Sequence, residues 1–312
     1  GGFVWTNREI SHWHLSPMAK LIETQAQGKP AVTFIAGDCK PWSFVMHTPE
    51  ETTIFCAQAI ANGTNVWYGV HFAMSFMEKQ ACDAALKLIH FVLDHPEIFT
   101  GHKPVSRVAL LWGQDTANSY RSAVEESDFT ACTEVGAAED IKSDHAKAFR
   151  GCVEMLSRAH VQYDVIDEVS VLQDELEKYD LLILPTVACL HEGVAEKIEA
   201  FVKAGGNLIS TYDTGFYTRD GMRTEEPQLK NLQGIASVER FIQYQSLGTC
   251  YLRAKENGAY AKNLRAPLFS GYQYVTDVTP TQGAKVHFEA NEPMRGRYDA
   301  FPQKWFPAVI ET

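Results

Sequence analysis

Two apolar runs in the first hundred residues each lead into residues that could do chemistry. Ala31 to Ala36 is followed by Asp38, Lys40 and Trp42, and Asn65 to Phe72 closes on His71 and Phe72. Trp5, Asn7, His12, Trp13 and His14 precede the helix pattern that opens this region. Aromatic rings mixed with Asp, Asn, His and Lys are the set that recognises a sugar, because a flat ring covers the apolar sugar face while polar groups take the hydroxyls. If the two runs are neighbouring strands of a β/α barrel, their C-terminal ends share the functional face. Trp5, Trp42 and His71 would then be the substrate contacts, with Asp38 among the polar groups of the site. Each also has a plainer reading: Trp42 and Trp67 as packing, Asp38 as a turn residue.

Other chemistry finds less support. The sequence has no Gly-rich phosphate loop after a strand, no histidine-glutamate zinc pair at one-turn spacing and no Gly-x-Ser-x-Gly elbow. Asp213-Thr214-Gly215 follows an apolar run and looks like the triplet of aspartic proteases, but those enzymes need two such aspartates in β-rich lobes. A strand-to-loop turn, with Asp213 bonding nearby backbone amides, explains it better. Cys189 also follows a strand pattern, yet it lacks the flanking glycines that a nucleophile elbow needs, and Cys152 lies inside a helix pattern.

The elements that must position these residues alternate at short intervals. Pro17 to Gln27 reads as a helix with Ser16 at its N-cap, stopped by Gly28. Ala31 to Ala36 reads as a strand buried on both faces. Thr48, Pro49 and Glu51 form a capping-box pattern for a helix that runs to Asn62-Gly63, and Asn65 to Phe72 reads as a second buried strand. A helix over about Glu78 to Leu93 follows. Helix, strand, helix, strand, helix with short loops describes parallel α/β packing.

The polar stretch Thr100 to Pro104 marks a domain boundary. Beyond it, strands over Arg107 to Trp112, Tyr163 to Asp167, Asp180 to Pro185 and Asn207 to Tyr212, with helices over about Ser143 to Ala159 and Glu192 to Ala204, suit an open doubly wound sheet of the flavodoxin-like kind. From about Ser246 the pattern turns to short β-rich segments, such as Thr249 to Lys255 and Ala284 to Glu289. The expected fold class is thus α/β: the last units of a (β/α) barrel over 1–100, a flavodoxin/amidotransferase-like doubly wound domain over 101–245, and a small β-rich tail over 246–312.

Bulk properties bound the function. The 312 residues suffice for about two domains, and 45% of them are hydrophobic. With 28 Lys and Arg against 39 Asp and Glu, the formal charge is −11. That balance disfavours nucleic acid or an anionic membrane as partner. No run approaches the length of a membrane helix, and no basic segment followed by a hydrophobic stretch opens the chain. The seven cysteines are scattered, none closer than seventeen residues to the next, which points to free thiols in a reducing, cytoplasmic compartment. Nothing in the sequence calls for a metal or an organic cofactor.

Tyr179-Asp180-Leu181-Leu182-Ile183-Leu184-Pro185, Val187 to Leu190 and Ile198 to Ile209 together resemble the amidotransferase-like trimerisation domain of the beta-galactosidase-related glycosidases. Val108 to Tyr120 is similar to the start of that domain. Upstream, Gly28-Lys29-Pro30 and Gln58 to Gly63, each leading into a strand, look like the seventh and eighth barrel units of the same family. The resemblance runs over roughly Ser16 to Ser246. It implies a glycoside hydrolase acting on O-glycosidic bonds of a carbohydrate, assembled as a homo-trimer, with this chain as the C-terminal part. The family ends its seventh strand with a nucleophilic Glu, whereas Phe34-Ile35-Ala36-Gly37-Asp38 offers only Asp38 nearby. A barrel takes about 250 residues, so its first five strands, with the general acid expected on the fourth, would lie outside this chain.

Retaining glycosidases hold two carboxyl groups about 5 Å apart, and this sequence supplies at most one. The alternative is a non-catalytic carbohydrate-binding or oligomerisation module on the same folds. An independent amidotransferase-like enzyme would require a hyper-reactive cysteine.

Overall fold

The computed structural model describes residues 2–4, 12–39, 44–70, 79–120, 132–136, 142–244, 249–255, 260–271, 273–294 and 298–312. By its contacts the chain divides into two compact units, Gly1–Trp112 with Arg150–Leu182, and Gly113–Phe149 with Ile183–Thr312.

The first unit begins with strand β1 (Gly2–Val4), helix α1 (Leu15–Ala26), strand β2 (Val32–Ala36), helix α2 (Pro49–Ala61), strand β3 (Asn65–Gly69) and helix α3 (Gln80–Asp94). The strands form a parallel sheet in the order β1-β2-β3, with Phe34 opposite both Phe3 and Trp67. Parallel neighbours need a crossover on one face, which α1 and α2 supply. Leu15, Ala19, Ile35, Phe55, Cys56, Ala59 and Ala85 form the core beneath them.

α2 starts as its sequence dictates: Glu51 N donates to Thr48 Oγ1 and Thr48 N to the Glu51 carboxylate, with Pro49 in the first turn. α1 departs from the expected start. It begins at Leu15 with His14 in the cap position and no side-chain cap bond. Ser16 lies inside the helix, where its amide donates to Gln58 Oε1 and its hydroxyl accepts from Asn62 Nδ2. That tertiary tie to α2 replaces the local cap. β3 departs as well: it is not buried on both faces, and Trp67 is 62% exposed. Trp67 packs edge-on against Phe34 of the neighbouring strand, with ring centroids 5.1 Å apart.

The same unit contains strand Val108–Leu111 paired in parallel with strand Asp164–Ile166, and the amides of Asp180 and Leu181 donate to Arg107 O. Asp164–Ile166 is therefore an edge, and α1 covers it. Thr24 Oγ1 donates to Val165 O at 2.6 Å, and Gln25 Nε2 to Asp167 Oδ2 at 3.3 Å. Covering an edge removes a template for unwanted strand pairing.

In the second unit, Thr211 N donates to Leu184 O, joining strand Asn207–Ser210 to the end of strand Leu181–Leu184. Helix Glu192–Lys203 packs beside Asn207–Ser210 and ends in left-handed Gly205, as glycine there allows. Antiparallel strands then take over from Ile235. Ile235–Tyr244 pairs with both Cys132–Gly136 and Tyr274–Pro280, while Leu268–Ser270, Tyr251–Ala254, Lys285–Asn291 and Trp305–Glu311 form a further four-stranded sheet in that order.

Candidate functional site

Asp38 stands just past the C-terminal end of β2, in a tight ribbon. Gly37 N donates to Gly69 O, His47 N to Gly37 O, and Cys39 N to Val45 O, while Asp38 bridges Met46 in antiparallel fashion. Asp38 is buried, at 5% exposure. Position 37 is crowded: a Cβ there would stand 2.7 Å from Tyr68 Oη. The missing side chain lets the Tyr68 phenol press against the strand end.

His47, Glu51 and Tyr68 gather around this strand end. Glu51 Oε2 lies 3.6 Å from His47 Nδ1 and Glu51 Oε1 lies 3.6 Å from His12 Nε2. Three imidazoles, of His12, His14 and His47, pack on the single ring of Phe55 at centroid distances of 6.0, 5.9 and 5.2 Å. Burial pushes the His47 imidazole below its ordinary value, against the pull of the Glu51 and Asp38 carboxylates. The Thr48 amide, chiefly, holds the Glu51 carboxyl below the usual range, and the two histidines add to it. Burial pushes the Tyr68 phenol up to about 12, with its hydroxyl 3.3 Å from Thr52 Oγ1. At neutral pH this leaves an ionised Glu51 between an exposed imidazole and a buried neutral one.

Of the residues that the sequence singled out here, Asp38 falls at a strand end of the parallel sheet. Trp5, Lys40, Trp42, His71 and Phe72 lie outside the described residues. His47 and Tyr68 went unnoticed in the sequence, although the i,i+4 spacing of His47 and Glu51 was visible. Tyr68 could be found only from the strand register that sets it opposite Ile35.

The other candidates resolve into structural roles. Asp213 is 1% exposed and accepts from Tyr120 Oη at 2.5 Å. Next to it, Val187 N donates to Thr214 Oγ1. Cys189 is fully buried and burial pushes its thiol up to about 12; Cys152 is pushed up to about 11 for the same reason. Neither is an activated thiol. His145 is buried between backbone groups, with Gly113 N donating to Nε2 at 3.1 Å and Nδ1 donating to Pro185 O at 2.8 Å. Both ring nitrogens of His145 are thus engaged by backbone. No group of His, Cys, Asp and Glu able to hold a metal occurs among the described residues.

Parallel α/β units, the first with a carboxyl just past a strand end, are followed by antiparallel sheets. The chain belongs to the beta-galactosidase trimerisation domain family, whose model matches residues 106–266, just over half of its length. Among curated proteins it is 30% identical over 110 residues to beta-galactosidase BgaA of Planococcus sp. (strain 'SOS Orange'), a match covering 34% of this chain and 16% of that protein. Among solved structures it resembles the beta-galactosidase from Bacillus circulans sp. alkalophilus, with a TM-score of 0.73 at 15% identity over 98% of this chain and 44% of that one. It also resembles alpha-L-fucosidase isoenzyme 2 from Paenibacillus thiaminolyticus, with a TM-score of 0.63 at 16% identity over 100% of this chain and 44% of that one. This chain therefore spans less than half the length of these relatives. At such identities the structural likeness concerns fold alone, and it joins glycosidases named for different sugars. No helix among the described residues is long and apolar enough to cross a membrane.

Proposed function

We propose that this chain is the C-terminal part of a beta-galactosidase-like glycoside hydrolase that cleaves an O-glycosidic bond by a two-carboxylate mechanism. In this reading residues 1–100 are the last units of a (β/α) barrel. Residues 101–245 are a flavodoxin/amidotransferase-like trimerisation domain, and 246–312 are a β-rich tail. The observation that carries it is Asp38, a buried carboxyl at the C-terminal end of a parallel strand, where barrel enzymes hold their reacting groups, in a chain whose following segment matches a beta-galactosidase domain family. Asp38 serves as the acidic group. Trp5, Trp42 and His71 contact the sugar, and the second carboxyl comes from residues beyond this chain. The reaction needs no metal or organic cofactor. The strand order along the second α/β region, with Val108–Leu111 between Asp164–Ile166 and Leu181–Leu184, and Asn207–Ser210 beyond, supports the flavodoxin-like reading.

Asp38→Asn in the whole protein tests the assignment with chromogenic galactosides. Turnover should fall by about a thousandfold or more with the fold intact, as loss of a reacting carboxyl implies. Near-normal rates overturn it. A second reading, a non-catalytic carbohydrate-binding or oligomerisation module, is favoured by the family match itself, which is to an assembly domain. Sugar binding without turnover in the whole protein would establish that reading. We place the protein in the cytoplasm, as homo-trimers, a location supported by the free thiols of Cys39, Cys56, Cys82, Cys152, Cys189 and Cys250.

A further inference from the structure

α3 is apolar over far more of its circumference than contact with one core requires. Ala81 and Ala85 are buried, and Leu88 packs on the core around Ile35 and Phe55. Ala84, Leu88 and Phe91 turn toward α2, where they line one groove with Pro49, Thr53 and Ile54. Asp83, Lys87, His90 and Asp94 form an exposed polar wedge. The remaining flank holds Cys82, Leu86, Ile89 and Leu93, of which Leu86 is 51% and Leu93 68% exposed. At 3.6 residues per turn this flank lies about half a turn from the side that meets α2. Its spacing of four, three and four residues is that of the seam by which one helix receives another.

α2 packs between α1 and α3, and the chain's own continuation does not cover the far flank of α3. The rings of His95 and Phe99, which follow α3, return to Phe91 on the α2 side, at centroid distances of 4.8 and 5.9 Å. The neighbouring strand β3 is bare in a second place. Val66 and Tyr68 pack under the helices, so Trp67, which alternates with them, points to the opposite face of the sheet, where it is 62% exposed. Parallel sheets are ordinarily covered on both faces. The relatives in which this fold occurs run to more than twice the length of this chain.

We propose that the flank of Cys82, Leu86, Ile89 and Leu93 on α3 seats an amphipathic helix of the polypeptide that precedes this chain in the whole protein. That helix lies against α3 as α2 does on the other side, and its apolar stripe removes Leu86 and Leu93 from water. Continuation of the same strand-and-helix series meets both bare surfaces, on the consecutive elements β3 and α3. Docking of a second copy onto the outer flank would leave the inner sheet face bare. The inference rests on the reading of this chain as the C-terminal part of a longer protein.

Photo-crosslinking of the whole protein tests it. With Leu93 replaced by benzoylphenylalanine, irradiation should give an intramolecular product whose mapped partner lies upstream of Gly1. A product that joins two copies, a partner within this chain, or no product at all overturns it. Because the bulky probe could weaken the fold, alkylation of Leu93→Cys is the second measurement. In the folded whole protein its thiol should react about tenfold or more slowly than that of His90→Cys on the polar wedge, since thiol reactivity follows access. Equal rates overturn the docked helix. Neither readout uses turnover, so the two failures are separable. Unimpaired turnover in Asp38→Asn beside an upstream crosslink sinks the glycosidase reading alone, and lost turnover beside a crosslink between copies sinks the docked helix alone.

Discussion

Tyr120 Oη donates to Asp213 Oδ2 at 2.5 Å across 93 residues of sequence, and the same oxygen accepts from Ser143 N at 2.7 Å. Burial, chiefly, and the adjoining Asp213 carboxylate hold the Tyr120 phenol far above its ordinary value, so it remains a donor at any accessible pH. Tyr120→Phe removes that donor from a buried carboxylate and an acceptor from a buried amide. The variant should be less stable by about 2–3 kcal/mol, read from urea denaturation midpoints. A change under half a kcal/mol would show that Asp213 does not depend on this bond.

The Gly37 contact with Tyr68 gives a second test. Gly37→Ala would place Cβ 2.7 Å from Tyr68 Oη, 2.9 Å from Tyr68 Cζ and 3.0 Å from Met46 Cε. Overpacking of this kind costs about 1–3 kcal/mol. It should also disturb the ribbon that holds Asp38, visible as amide shifts at residues 37–39 and 45–47. A thermally neutral substitution would mean that the strand end can relax away from the phenol.

His145 predicts an acid-labile second unit. Burial lowers its folded-state value, so the unfolded chain binds the proton more readily, and stability falls as pH drops below the unfolded value of about 6.5. Above that pH the neutral ring holds both Gly113 N and Pro185 O. The stability difference between the native chain and His145→Ala should therefore narrow between pH 7 and pH 5. A gap that stays constant over that range would exclude His145 as the source of acid sensitivity.

Assembly is the fourth expectation. Sedimentation equilibrium of the whole protein should return three times the mass of one protomer, as the family of residues 106–266 leads us to expect. A strictly monomeric species across micromolar concentrations would remove assembly from the proposal.

The local devices of this chain were legible before any coordinates. Thr48 and Glu51 lie three positions apart, and the capping box they form needs only that spacing. Gly205 ends its helix because glycine alone pays little for left-handed backbone. The strands Val108–Leu111, Leu181–Leu184 and Asn207–Ser210 lie within the apolar runs that announced them. The Ser16 cap misled because Ser16 found Gln58 and Asn62 on another helix, a choice that its own neighbours in sequence do not encode.

What the sequence determined by itself was therefore periodicity, caps, turn residues and a motif set specific enough to reach a family. The tertiary structure decided that Trp67 packs edge-on against Phe34, and that α1 shields Asp164–Ile166. It also decided that Asp213 meets Tyr120, and that Asp38 shares a strand end with His47, Glu51 and Tyr68. The physical reason is range. Capping and helix termination act over three or four residues, whereas burial, edge coverage and the environment of a carboxyl are set by groups that only folding brings within a few ångströms of each other.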